Sequence, residues 1–210
     1  IQLCPNEDTF YVDSDTCYIK SLDTIASGLQ QGQTFMHEAE GQLSELDSNE
    51  ERRMWKSLQN KTFYGVDIND KTEMWNAGVI ALPGSHSNKI IQHTLAICDA
   101  ICATPCPRRL VEQFSFSLAL NAHKPLADCQ QSILHYWGNM AQWNTLIGSF
   151  FIYSHLYNET ISDEIARAKL IDYQHIPTVK KERSLKRKLV SLIDKLVKPK
   201  MVRYFGQKGR

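Results

Sequence analysis

Asp13 and Asp15 stand two residues apart, directly after the short apolar run Phe10-Tyr11-Val12. Aromatic and β-branched residues in such a run predict a buried strand, so both carboxylates leave the sheet at one point. Two carboxylates so placed can share one hard divalent cation, Mg²⁺ or Mn²⁺, whose remaining positions suit phosphate oxygens and water. Such an ion acts as a Lewis acid toward a departing diphosphate. The same triplet also reads as a solvated turn in which Ser14 or Asp15 caps the following segment.

Three later segments carry side chains that could serve such a centre. In Trp75-Asn76-Ala77-Gly78-Val79-Ile80, Gly78 lets backbone approach a ligand closely and the Asn76 amide can grip hydroxyls. A tight bend in a core strand, with Asn76 bonding its own backbone, is the plainer reading. Glu112-Gln113 offers a carboxylate for general-base or electrostatic work, although an acidic residue in a first helical turn is favourable against the helix dipole anywhere. His135-Tyr136-Trp137-Gly138 supplies an imidazole, a reasonable third ligand beside two carboxylates, or a buried histidine bonded to backbone. Between the aspartates and Asn76 lies Phe35-Met36-His37-Glu38, where His37 or Glu38 can touch an acceptor molecule, or Glu38 can simply begin the acidic stretch that follows.

Taken in order over residues 10–138, these segments resemble the metal-binding region of nucleotide-sugar-dependent glycosyltransferases of the GT-A fold, bacterial type, in which a strand ends in Asp-x-Asp. The resemblance implies a mixed α/β fold, a sheet flanked by helices, and a divalent Mn²⁺ or Mg²⁺ bridging the diphosphate of the donor. It makes Asp15 the more direct metal ligand, gives Asp13 to the metal or the donor ribose, and brings His135 to the metal or diphosphate. It places Ser14, Gly78 and Gly138 beside the donor, and gives Asn76, Glu112 and Gln113 to the sugar and acceptor. The implied reaction moves a sugar from a nucleoside diphosphate onto a glycan, a lipid-linked or glycolipid acceptor, or a protein. The family carries alternating strands and helices that hold the nucleotide base ahead of Asp-x-Asp. Twelve residues precede Asp13, so this chain is expected to hold the catalytic part of an N-terminally incomplete GT-A-like domain.

The elements that must position these residues follow from periodicity. Strands are expected over 9–13 and 34–37, and a strand end with a helical turn over 19–27, closed by Gly28. A polar loop runs to Glu51, with one or two helical turns over 52–58. Residues 74–82 predict a strand running into the turn at Pro83-Gly84. Apolar spacing predicts helices over 87–103 and 108–121, an extended arm over 132–136, and a largely buried helix over 141–157. Ser162 or Asp163 can cap another. Residues 1–158 are expected to form the catalytic part, and 159–210 a helical basic extension in which Pro177 marks a linker.

Composition limits the other classes. With 42% hydrophobic and 22% charged residues, the chain is an ordinary globular protein. Net charge is +1, but residues 180–210 hold twelve Lys and Arg against two acidic residues, a net of +10 that leaves −9 for the rest. Residues 184–197 put Leu185, Leu189, Leu192, Ile193 and Leu196 on one side of a basic amphipathic helix. This suits the inner face of an anionic membrane, and supports an alternative, non-enzymatic reading as a peripheral membrane or nucleic-acid binding module. Nucleic acid is the weaker partner, because the aromatic run Phe150-Phe151-Tyr153-Tyr157 has the spacing of a packing face. Cys98, Cys102 and Cys106 lack the paired spacing of a zinc knuckle, which favours free thiols in a reducing cytosol. No His-Glu-x-x-His pattern and no phosphate-binding glycine loop occurs.

Overall fold

The computed structural model describes residues 7–173 and 176–178, and the chain divides into two compact units, Ile1–Trp137 and Gly138–Arg210. The fold is mixed α/β. The first unit opens with β1 (Thr9–Val12), β2 (Thr16–Tyr18), α1 (Asp23–Gln30), β3 (Phe35–Met36) and β4 (Ala39–Gln42). It continues through α2 (Asn49–Leu58), β5 (Thr62–Phe63), β6 (Val66–Asp67), β7 (Glu73–Trp75) and β8 (Val79–Leu82). Helices α3 (Ser87–Cys102) and α4 (Val111–His123) and strands β9 (Ala127–Asp128) and β10 (Ile133–His135) complete it.

The principal sheet has the order β1-β8-β3-β9, with β8 antiparallel to both neighbours and β9 parallel to β3. Register decides what meets at its end. Val12 pairs with Val79 and Met36 with Ile80, so β1 and β3 both finish where β8 begins. Beyond that edge the Asp13 amide donates to the Gly78 carbonyl at 2.9 Å, and the His37 amide to the Asn76 carbonyl at 3.2 Å. Strand β10 pairs with β2, His135 lying opposite Thr16. Strand β4 pairs with β7 through a bulge between Ala39 and Gly41, where Gly41 takes φ of +125°, a conformation that favours glycine.

The apolar side chains explain why these short strands stay in place. Phe35, Val79, Ala81 and Ile133 pack with Ile25 and Leu29 of α1 on one side of the sheet. Met36, Ile80 and Leu82 pack with Ile90, Ile91 and Leu120 on the other. A larger cluster joins α2, α3 and α4 through Met54, Leu58, Ile97, Ile101 and the fully buried Phe114. Burying a side chain of this size contributes about 1.5–3 kcal/mol.

Several elements differ from their sequence expectations. Helix α1 runs past Gly28 to Gln30, and Gly28 makes room within it for the Phe35 ring, which a Cβ there would strike. The chain turns instead at Gly32, φ +74°. Helix α2 starts at Asn49, ahead of the expected 52, because Ser48 and Glu51 form a reciprocal capping box. The single strand expected over 74–82 is two, β7 and β8, broken at Asn76–Gly78.

In the second unit, α5 (Met140–Tyr157) and α6 (Ile161–Ala168) are joined by Asn158 in the left-handed conformation. Thr160 caps α6, two residues before the expected Ser162, with Asp163 as its reciprocal partner. The expectation of a largely buried helix over 141–157 is not met: only Trp143 and Ser154 of α5 are buried, while Phe151, Ile152, Leu156 and Tyr157 are exposed. Nor is the aromatic run a closed packing face, since the Arg167 guanidinium, paired with Glu159, lies over the rings of Phe150 and Tyr153. Pro177 accepts hydrogen bonds from Asn139 and Trp143 through its carbonyl. The basic helix expected over 184–197 lies outside the described residues. Among the described residues, no helix is long and apolar enough to cross a membrane.

Candidate functional site

The ends of β1, β3 and β10 and the bend between β7 and β8 bring distant residues together. Asp13, Asp15 and His135 each offer a ligand atom within 4.8 Å of the others. His135 Nε2 lies 3.1 Å from Asp15 Oδ1 and 3.8 Å from Asp13 Oδ2. The imidazole is buried, and both carboxylates are partly exposed. Backbone pairing fixes this meeting: the Tyr136 amide donates to the Asp15 carbonyl, next to the His135–Thr16 pair of the β10–β2 ladder.

The hydrogen bonds place a hydrogen on Nδ1 of His135. Asn76 Oδ1 accepts from the Gly78 amide at 2.9 Å, and a backbone N–H can only donate, so that atom is the amide oxygen. His135 Nδ1 lies 2.9 Å from the same oxygen and therefore carries a hydrogen. In the neutral ring, the Nε2 lone pair then points at two carboxylates, so the three acceptors converge with no hydrogen among them. That arrangement is electrostatically unfavourable until a positive charge enters, either a second ring proton or a cation. Metal-ligating histidines are commonly tied through the other ring nitrogen in this way. Gly78 is required, because a Cβ at that position would overlap the His135 ring.

Around this centre, the Tyr11 hydroxyl donates to Asp13 Oδ1 at 2.6 Å. That bond, aided by burial and by the nearby charges of Asp13, Glu112 and Asp15, pushes its pKa up to about 12. Ser14 is exposed in the turn between the aspartates. Asn76 is buried, and its Nδ2 donates to Glu40 Oε1 at 3.0 Å. It therefore makes the expected bend with its own backbone and supports His135 at the same time. Gln113 Nε2 donates to the other carboxylate oxygen of Glu40 at 3.1 Å, so Glu40 bridges the bend to α4. Burial raises the pKa of Glu40, against the opposing pull of the Asn76 and Gln113 donors.

Glu112, one residue before Gln113, is exposed, with its charge bearing on the Tyr11 hydroxyl. His37 donates from Nε2 to the Ile133 carbonyl at 3.1 Å, which leaves the Nδ1 lone pair free. Glu38 Oε1 is 3.7 Å from that atom, beyond hydrogen-bond reach, and Nδ1 has no hydrogen-bond partner. Burial lowers the pKa of His37. Gly138 opens the second compact unit.

Sequence reasoning missed Tyr11 and Glu40. Tyr11 sits two residues before Asp13 on a strand, hence on the same face, a signal that was readable. Glu40 had none, because its role depends on the bulge that opposes β4 to β7. No other group of three or more His, Cys, Asp or Glu side chains among the described residues is arranged to hold a metal ion. The five described cysteines are free, with Cys106 and Cys129 buried. No family model, curated protein or solved structure matches the chain.

Proposed function

We propose that Asp13, Asp15 and His135 hold a divalent cation, Mn²⁺ or Mg²⁺, and that the chain is the catalytic part of a GT-A-like glycosyltransferase. Its donor would be a nucleoside diphosphate sugar and its acceptor a glycan, a lipid-linked sugar or a protein. The observation that carries this reading is the convergence of two carboxylates and the His135 Nε2 atom, drawn from segments 120 residues apart. The donor set fits a hard or borderline cation: two oxygen ligands and one imidazole whose other nitrogen is already tied. Bound there, such an ion supplies Lewis-acid stabilisation to a leaving diphosphate.

The remaining roles belong to the chain itself. Tyr11 holds Asp13 Oδ1 by hydrogen bond, which leaves Oδ2 for the cation. Asn76 orients His135, and Gly78 leaves the space that its ring fills. Glu112 is the exposed carboxylate near Tyr11, and takes the base or electrostatic role toward an acceptor hydroxyl. Gln113 has given its amide hydrogen to Glu40, so its first duty is to the framework.

The test is binding of inorganic diphosphate and of UDP, measured by calorimetry with and without Mn²⁺. The expected result is diphosphate binding at least about tenfold tighter with Mn²⁺, and lost in Asp15→Asn. Failure to bind diphosphate under any metal condition would end the donor-site reading.

A further inference from the structure

We infer that Glu40 is a positioning residue of the Asp13–Asp15–His135 centre, holding the Asn76 carboxamide so that His135 keeps its hydrogen on Nδ1 and presents a bare Nε2. This rests on the metal reading proposed above. The connection is continuous: Gln113 Nε2 to Glu40 Oε2 at 3.1 Å, Asn76 Nδ2 to Glu40 Oε1 at 3.0 Å, and His135 Nδ1 to Asn76 Oδ1 at 2.9 Å. His135 Nε2 then reaches Asp15 at 3.1 Å.

Glu40 owes its place to the bulge in the β4–β7 ladder, where the register shifts between Ala39 and Gly41. Bulges re-aim one side chain out of the regular alternation, and here the re-aimed side chain is a carboxylate facing two amide donors. Both ends of the Asn76 carboxamide are consequently specified. Its oxygen is set by the Gly78 amide and its nitrogen by Glu40. An Asn76 turned about would bring N–H hydrogens against both the Gly78 amide and the Nδ1 hydrogen of His135. The ring would then be driven toward the other tautomer, with hydrogen on Nε2 and no lone pair for a cation.

Geometry, not charge, is the essential property, and this separates the variants. In Glu40→Gln the new side chain can accept from Asn76 through its oxygen and donate to a Gln113 carboxamide that has turned over. In Glu40→Asp the charge survives, but the side chain is one methylene too short to span both partners. Glu40→Ala removes the bridge.

The experiment measures Mn²⁺ affinity by calorimetry and the His135 tautomer by ring ¹⁵N shifts, recorded without metal at alkaline pH, where imidazoles are neutral. Expected is a loss of roughly tenfold to a hundredfold in Mn²⁺ affinity for Glu40→Ala and Glu40→Asp, as for outer partners of metal ligands generally. Glu40→Gln should stay within about threefold. His135 should show hydrogen on Nδ1 in the parent and in Glu40→Gln, and a mixture in the other two. Unchanged affinity and tautomer in Glu40→Ala, or loss in Glu40→Gln with retention in Glu40→Asp, overturns the inference. If Glu40→Ala does not fold, the Asp and Gln pair still decides it. If the parent binds no Mn²⁺, the metal reading fails, while the tautomer measurement still tests Glu40.

Discussion

Two histidines sit edge to face at the end of the sheet, their ring centroids 5.4 Å apart, and they have opposite surroundings. Each gives one ring hydrogen to an oxygen of the framework, His135 to Asn76 and His37 to the Ile133 carbonyl. What the second nitrogen meets differs. For His135 it is a pair of partly exposed carboxylates. For His37 it is a buried position with no hydrogen-bond partner. Burial depresses the pKa of His37, which keeps it neutral, part of the packing under β3. The two rings therefore differ in what their second nitrogen faces, not in their nearness to acidic side chains.

The sharpest way to break this contrast is Gly78→Ala. A Cβ at that position overlaps the His135 ring, so the ring must move away from the aspartates. Mn²⁺ affinity should fall by more than about a hundredfold, beyond the range that outer partners command, and overpacking should cost about 1–3 kcal/mol in denaturant unfolding. The corresponding change at the other histidine should have no such effect. His37→Ala should leave Mn²⁺ affinity within about threefold, while losing its bond to Ile133 and lowering stability by roughly 1–3 kcal/mol. A His37→Ala variant that binds Mn²⁺ as poorly as Gly78→Ala would erase the distinction.

The candidate side chains were more legible than the framework that brings them together. Asp13, Asp15 and His135 could be singled out because their residue types suit a cation site and because Asp-x-Asp follows an apolar strand, whereas Gly78, expected to let backbone approach a ligand, makes room for the His135 ring. The mixed α/β character was implied by the resemblance and agrees with the strands and helices read from periodicity. Glu40 could not be found, since a bulge and a pairing with residues more than thirty positions away created its surroundings. Helix α5 was misjudged for a related reason. Its apolar residues are spread around the helix with no distinct polar face, a pattern that normally signals burial, yet few side chains in its own described unit cover it.

Two smaller effects sharpen the picture. Glu40 has a raised pKa because it is buried, so the folded state binds its proton more readily than the unfolded state. Its ionisation accordingly makes stability fall as pH rises through and above the ordinary carboxylate value of 4.5. Glu40→Gln should flatten that slope, and the difference between the two proteins should vanish at more acidic pH, as read from urea midpoints. Tyr11 should titrate near 12 by ultraviolet absorbance, and Tyr11→Phe, which frees one oxygen of Asp13, should weaken Mn²⁺ binding by only about two- to threefold. A two- to threefold loss is about 0.4–0.7 kcal/mol, small because the substitution removes an orienting contact and no ligand.

The central claim is that three side chains from two distant segments form one cation site. Calorimetric titration of the chain with Mn²⁺, repeated on Asp15→Asn and His135→Ala, tests it most directly. One site should appear in the parent, and both substitutions should abolish it. No saturable binding in the parent, or binding that survives both substitutions, would contradict it.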